Sequence, residues 1–296
     1  MVNRWTPRAL GALVGALVLP LTAAPALAAT APADPPAAVG APAAAVALPQ
    51  AHAHNDYEHE RPLLDALDHG FTSVEADVWL VDGELLVAHD AVDLDRSRTL
   101  QSLYLDPLAE RVAANGGSVH PGHDEPLQLL VDVKTLAVPT YLRLHEVLSG
   151  YPQLLTEFRV GEDGYDARPG AVTAVVSGNR PVDLMARQPV RWAGYDGRSG
   201  DLGSGADPDF MPLLSENWTN LFTWTGEGEM PAAERARLQQ LTATAHADGR
   251  AVRFWATPDE PGPAREAVWT ELLAAGVDHV NTDDLAGLRD FLLTRG

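Results

Sequence analysis

The sequence predicts an α/β protein, a single-domain (β/α)8 TIM barrel, on three observations. Once an atypical N-terminal stretch is set aside, about 250 residues remain, the size of one such barrel around a single core. Short β-branched runs alternate along them with longer helix-periodic stretches, the pattern of a parallel sheet wound with helices. Eight such runs can be read, and eight strands are what closure requires.

Residues 1–28 read as a signal peptide. Arg4 and Arg8 form a basic start, an apolar run extends from Ala9 to Leu21, and Ala26-Leu27-Ala28 has the small-x-small form of a cleavage site. The uninterrupted apolar run is shorter than the ~20 residues a bilayer span needs, and Pro20 and Pro25 interrupt any continuation of it. Export is therefore expected, with a secreted mature chain that does not insert in a membrane. Residues 29–48 are almost wholly Ala, Pro, Val and Gly without any period, which predicts an extended linker, and residues 49–296 form the barrel domain.

Strands are expected near Gln50–His54, Ser73–Leu80, Leu127–Lys134, Val172–Ser177, Val190–Tyr195, Leu213–Trp218, Val252–Ala256 and His279–Thr282. Helices are expected over Arg61–Asp68, Thr140–Leu148, Pro181–Arg187, Ala232–His246, Ala264–Ala275 and Leu285–Leu293. Asp82-Gly83 is a two-residue turn signal inside a hairpin from Val81 to His89. The segments Ala91–Glu125, Gly161–Gly170 and Asp196–Met211 read as loops over the face where strands end, which is where barrel active sites sit.

The chain has no cysteine, which excludes a thiolate nucleophile, a zinc–thiolate centre and a lipoprotein anchor. Stability in an exported chain must then come from core burial. The formal net charge of −20 repels nucleic acid and anionic membranes, so neither is an expected partner.

The densest chemical signal is Ser73-Val74-Glu75-Ala76-Asp77-Val78. Residues two apart on a strand point the same way, so Glu75 and Asp77 aim into one space, where two carboxylates repel unless a cation neutralises them. Oxygen ligands of this kind suit Mg2+ or Ca2+. Asp132, a lone acid in the apolar run Leu129–Val133, offers a third carboxylate, and Lys134, the only lysine in the chain, faces the same way two residues on. A compact ammonium there suits a phosphate oxygen. His54 ends the first strand and His89 follows Leu85–Ala88. An imidazole pair flanking an acidic strand suits acid–base catalysis of phosphodiester cleavage.

The run His54-Asn55-Asp56-Tyr57, then Glu75-x-Asp77, then Val87-Ala88-His89-Asp90, resembles the glycerophosphodiester phosphodiesterase and phosphatidylinositol phospholipase C-like superfamily. The likeness is nearest to bacterial relatives of the fungal "altered inheritance of mitochondria" proteins. The His54-to-Glu75 spacing of 21 and the Glu75-to-His89 spacing of 14 also resemble spider-venom sphingomyelinase D. Asp132-x-Lys134, the run Arg253–Thr257 and the run Gly276–Asp283 match later elements in order. The resemblance implies that His54 and His89 are the catalytic pair and that Glu75, Asp77 and Asp132 bind one divalent cation. It also implies that Lys134 contacts phosphate and that Trp255 lines the pocket. Asn55 stands where glycerophosphodiesterases carry an arginine, and it joins Lys134 and Trp255 as a substrate-binding candidate. The expected substrate is a small-molecule or lipid phosphodiester, cleaved by hydrolysis or through a cyclic phosphate.

Two rival functions fit part of the sequence. His52-x-His54 is similar to the metal-binding start of amidohydrolase-type barrels, but no histidine falls between His145 and His246, where such a site needs more. A non-catalytic exported binding protein would use Trp192, Trp218, Trp224 and Trp255 to hold a ligand.

Overall fold

The structure, a computed structural model, describes residues 45–161 and 164–295. The expected signal peptide and all but the end of the linker lie outside the described residues.

Strand β1 (Leu48–Ala53) pairs in parallel with β2 (Phe71–Val81), and β3 (Glu84–Val87) folds back antiparallel on β2. Then come β4 (Leu127–Val133), the hairpin β5 (Glu157–Val160) and β6 (Tyr165–Arg168), and β7 (Val172–Gly178). Strands β8 (Val190–Arg191), β9 (Gly194–Gly197), β10 (Leu213–Asn217), β11 (Ala251–Trp255) and β12 (His279–Thr282) complete the set. The order β1-β12-β11-β10-β9-β7-β4-β2 closes through the β1–β2 pairing into eight parallel strands, so the chain is a single-domain (β/α)8 barrel. Helices α1 (Leu64–Asp68), α2 (Asp106–Ala114), α3 (Ala137–Ser149), α4 (Val182–Ala186), α5 (Trp218–Leu221), α6 (Ala232–Ala247), α7 (Pro263–Ala274) and α8 (Leu285–Leu293) lie in the connections.

The register explains how these strands fold together. Asp77 pairs with Asp132 and Asp132 with Ser177, so one parity of each strand faces the lumen. The other parity, including Val74, Ala76, Val78, Leu129, Val131, Val133 and Val176, is fully buried in the core cluster shared with the helices. Each buried Val or Leu there stabilises the fold by about 1.5–3 kcal/mol. Inside the barrel, Leu130, Val175 and Leu213 form a separate small apolar plug. Polar side chains fill the layers above it, and the barrel therefore has a dry outer shell and a polar upper lumen.

The Asp82-Gly83 turn forms as expected. Val81 pairs with Glu84, and both turn residues adopt positive φ (50° and 86°), as a tight hairpin turn demands. Three expectations need correction. The fifth barrel strand is Gly194–Gly197, while Val190–Arg191 belongs to a separate three-stranded sheet with β5 and β6. Glycine suits the true strand because a Cβ at Gly194 would meet the Pro212 ring at 2.6 Å, and one at Gly197 would meet Met211 Sδ at 2.4 Å and displace that side chain. The segment Gly161–Gly170 contains β6 of that sheet, where a loop was expected. The segment Ala91–Glu125 contains α2, whose Asp106-Pro107 start and buried Leu108 and Val112, four apart, are ordinary helix signals.

Candidate active site

The upper lumen gathers side chains from five strands. Strand β2 supplies Glu75 and Asp77, and β4 supplies Asp132. One oxygen of each lies within 4.8 Å of the others. Lys134, just past β4, places its ammonium 2.9 Å from Asp77 Oδ2 and 3.1 Å from Asp132 Oδ1. The expected acidic trio and its lysine therefore converge.

The free oxygens of the trio are defined by what holds the others. Arg253 on β11 donates to Glu75 Oε2 at 2.6 Å and to Asn281 Oδ1 on β12 at 2.9 and 2.7 Å. His52 on β1 lies 3.3 Å from the same Glu75 oxygen and 2.6 Å from Ser73 Oγ, which also accepts from Gln128. Tyr57 donates to Asp77 Oδ2 at 2.6 Å. Asp77 Oδ1 is buried without any hydrogen-bond partner. Burial alone would raise the Glu75 carboxyl, but the Arg253 charge and the His52 contact hold it well below the usual range. Asp77 moves the other way, pushed up to about 6 by burial and by the Glu75 charge against the pull of Lys134. Burial raises Asp132 as well.

Three converging acids that outnumber their two cations, Lys134 and Arg253, with a buried carboxylate oxygen unanswered, are a donor set that could hold a hard divalent cation. Room for Asp132 comes from Gly178 at the end of β7. Its φ is +64°, and a Cβ there would lie 2.3 Å from Asp132 Oδ1.

His54 follows β1, and its backbone N–H donates to Thr282 O. Its Nδ1 lies 2.8 Å from Asp283 Oδ1, an oxygen that also accepts from Asn55 Nδ2 at 3.3 Å. With Nδ1–H directed at Asp283, Nε2 is left as the accepting nitrogen. Burial opposes the imidazolium, yet the Asp283 bond and the Glu75 charge raise the His54 pKa above its ordinary value. Asp259 secures this loop by accepting from Thr282 Oγ1 and from the Asp283 N–H, each at 2.6 Å. Asn55, at φ 47°, lies between Tyr57 and Asp283, its Oδ1 2.7 Å from the Tyr57 hydroxyl and its Nδ2 donating to Asp283.

His89 is held differently. The preceding Ala88 is clamped to β2, its N–H donating to Asp77 O and its carbonyl accepting from Trp79 Nε1. The imidazole itself is 56% exposed, with Nδ1 3.3 Å from Asp90 Oδ2. Trp255 ends β11 on the lumen-facing parity, opposite Asn217, and is partly exposed.

Sequence reasoning does not single out Tyr57, Arg253, Asn281, Asp259 and Asp283 as site residues, and it offers His52 only as half of a metal-binding H-x-H pair. Alternation could have found Arg253, which precedes Trp255 by two. His52 has both ring nitrogens engaged as a strut, unlike a metal-binding H-x-H pair.

A family model described as the AIM6-like phosphodiesterase domain matches residues 43–196, which carry the three acids, Lys134 and both histidines. The chain belongs to this family. A second model, the glycerophosphoryl diester phosphodiesterase family, matches residues 251–286, which include Arg253, Trp255, Asn281 and Asp283. Similar proteins with this family's name occur in fungi. "Altered inheritance of mitochondria protein 6" of Eremothecium gossypii is 30% identical over 272 residues, covering 82% of this chain and 69% of its own length. Its namesake in Lachancea thermotolerans is 29% identical over 281 residues, 80% of this chain and 64% of its own. The Arthroderma benhamiae homolog is 29% identical over 266 residues, 81% of this chain and 82% of its own. Among the described residues, no helix is long and apolar enough to cross a membrane.

Proposed function

We propose that this chain is a secreted, metal-dependent phosphodiesterase that cleaves a glycerophosphodiester or phospholipid-type substrate by acid–base catalysis with His54 and His89. The observation that carries the proposal is the meeting of Glu75, Asp77 and Asp132 within 4.8 Å, with a buried Asp77 oxygen unpartnered, beside an imidazole oriented by Asp283. The three carboxylates hold one Mg2+ or Ca2+ ion. When bound, that ion supplies positive charge against the non-bridging oxygens of the phosphate.

Lys134 adds a point charge on the same oxygens, its ammonium kept protonated by Asp77 and Asp132 despite burial. His54 accepts the proton of the attacking hydroxyl at Nε2, and Asp283 stabilises the imidazolium that results. His89 gives a proton to the departing alcohol oxygen as the old P–O bond breaks and the new one forms. The attacking hydroxyl is either water or a neighbouring hydroxyl of the substrate, which would release a cyclic phosphate. Trp255 and Asn55 border the place where the substrate lies. The partner is thus a small-molecule or lipid phosphodiester, and the −20 charge disfavours nucleic acid.

Phosphorus NMR on a panel of phosphodiesters tests this directly. Expected is turnover of at least one member that stops with EDTA and returns with Mg2+ or Ca2+. Turnover indifferent to chelation would remove the metal from the scheme, and no turnover of any member would remove the enzyme.

A further inference from the structure

The loops that leave β4 and β7 form an open groove of about 660 Å3 that shares Lys134 with the carboxylate centre. It is lined by Lys134 and Thr135 on one side and by Gly178, Asn179 and Arg180 on the other. No carboxylate lines it, although the chain as a whole carries a net charge of −20. Asn179 fixes the two loops to each other. Its N–H donates to Val133 O at 2.9 Å, and its amide donates to Thr135 O at 3.1 Å.

Arg180 differs from Arg253 and Arg198. Arg253 is bound to Glu75, and Arg198 to Asp196 at 2.6 Å, so both charges are compensated. Arg180 forms no ion pair among the described residues. Its Nη1 donates to Gly178 O at 2.9 Å, its guanidinium lies 4.7 Å from the centre of the Tyr195 ring, and its Nε is buried without a partner. A guanidinium fixed by a ring and a carbonyl, partly withdrawn from water and unmatched by an acid, is prepared for an anion. Its planar fork suits the paired oxygens of a phosphate or carboxylate.

We propose that Arg180 is an anion subsite for a second negatively charged group of the substrate, a phosphomonoester or carboxylate borne on one of the two alcohols. This deepens the phosphodiesterase reading and rests on it for the kinetic half of its test. The preferred substrate is accordingly a diester with two anionic groups, the diester phosphate at the centre that Lys134 and the acidic trio form together and the second group on Arg180.

The test uses the full chain and Arg180→Gln. In EDTA, where the three acids themselves repel phosphate, glycerol 3-phosphate is titrated by calorimetry. Binding to the wild type that weakens about tenfold in Arg180→Gln is the expected result, the size of one lost charge-assisted contact. With Mg2+, kcat/KM is compared for a diester bearing a phosphomonoester and for its dephosphorylated counterpart. The ratio of the two is expected to favour the doubly anionic substrate and to fall about tenfold in the variant through KM. An unchanged ratio, or a wild-type preference for a neutral acylated diester, overturns the subsite while leaving the phosphodiesterase standing. Arg180-dependent binding of glycerol 3-phosphate without hydrolysis of any diester would support the subsite and sink the phosphodiesterase reading.

Discussion

The two faces of the barrel wall have opposite compositions. On β2 the outward Val74, Ala76 and Val78 are wholly buried against helices, while the inward Ser73, Glu75 and Asp77 are polar and equally enclosed. On β4 the outward Leu129, Val131 and Val133 contrast with the inward Gln128 and Asp132. Cohesion of the fold therefore belongs mainly to the outer shell. The lumen contributes little apolar burial above its small plug of Leu130, Val175 and Leu213, and it concentrates charge that must be answered by other charge. Outer substitutions should lower stability and spare the chemistry of molecules that still fold. Inner substitutions should do the reverse.

Arg253 breaks that division most sharply. Arg253→Met leaves Glu75 buried without its partner and should cost about 3–5 kcal/mol in urea unfolding under EDTA, with part of the loss recovered on adding Mg2+. A variant as stable as wild type in EDTA would show that His52 alone suffices for Glu75. His54→Ala obeys the division. Turnover should fall about 10^3-fold, while the unfolding midpoint moves by little. Leu129→Ala is its mirror image, a loss of about 3 kcal/mol with kcat retained in the folded fraction.

Asp77→Asn sharpens the contrast, because the two readouts should move in opposite directions. The Asp77 carboxyl is pushed up to about 6, so its ionised form weighs on the fold, and stability is lost as pH rises from about 4 to about 6. The amide removes that burden. At pH 7.5 in EDTA the variant should be about 1 kcal/mol more stable than wild type, yet metal-dependent turnover should be lost. A destabilised variant would mean that the Tyr57 and Lys134 contacts outweigh the repulsion.

The smallest effect is a pH slope. Burial lowers His279, at the start of β12, to about 4, with Asp278 opposing and Arg253 adding to the shift. Between about 6.5 and 4 the unfolded chain binds a proton that the fold refuses, so stability falls as pH drops through that window. Asp77 gives the opposite slope over much of the same window, so the readout is the difference between the two proteins: His279→Gln should gain in urea midpoint relative to the wild type as the pH is lowered from about 6.5 to about 4.

Much of this was legible in the sequence, for a physical reason. A strand buried on both faces reads as an apolar run, and any acid inside it needs an explanation. Glu75, Asp77 and Asp132 stand out on that ground, and the structure brings them together. Their supports were harder to see. Tyr57, Asn281 and Asp259 are ordinary polar residues until closure sets β1 beside β12 and brings Arg253 across to Glu75. The fifth strand was misplaced because Val190-Arg191 has the β-branched look of a strand, whereas Gly194-Tyr195-Asp196-Gly197 is shaped by close approach to Pro212 and Met211. Strand propensity reports side chains that fit a half-buried surface, and it says nothing of positions where no side chain fits.

Gly178 stands where the acidic centre and the Arg180 groove adjoin. It clears space for the Asp132 carboxylate on one side, and its carbonyl steadies the Arg180 guanidinium on the other. A single added methyl would disturb both at once, by collision and by forcing the chain out of its left-handed bend. Two halves that pivot on one residue cannot be adjusted independently.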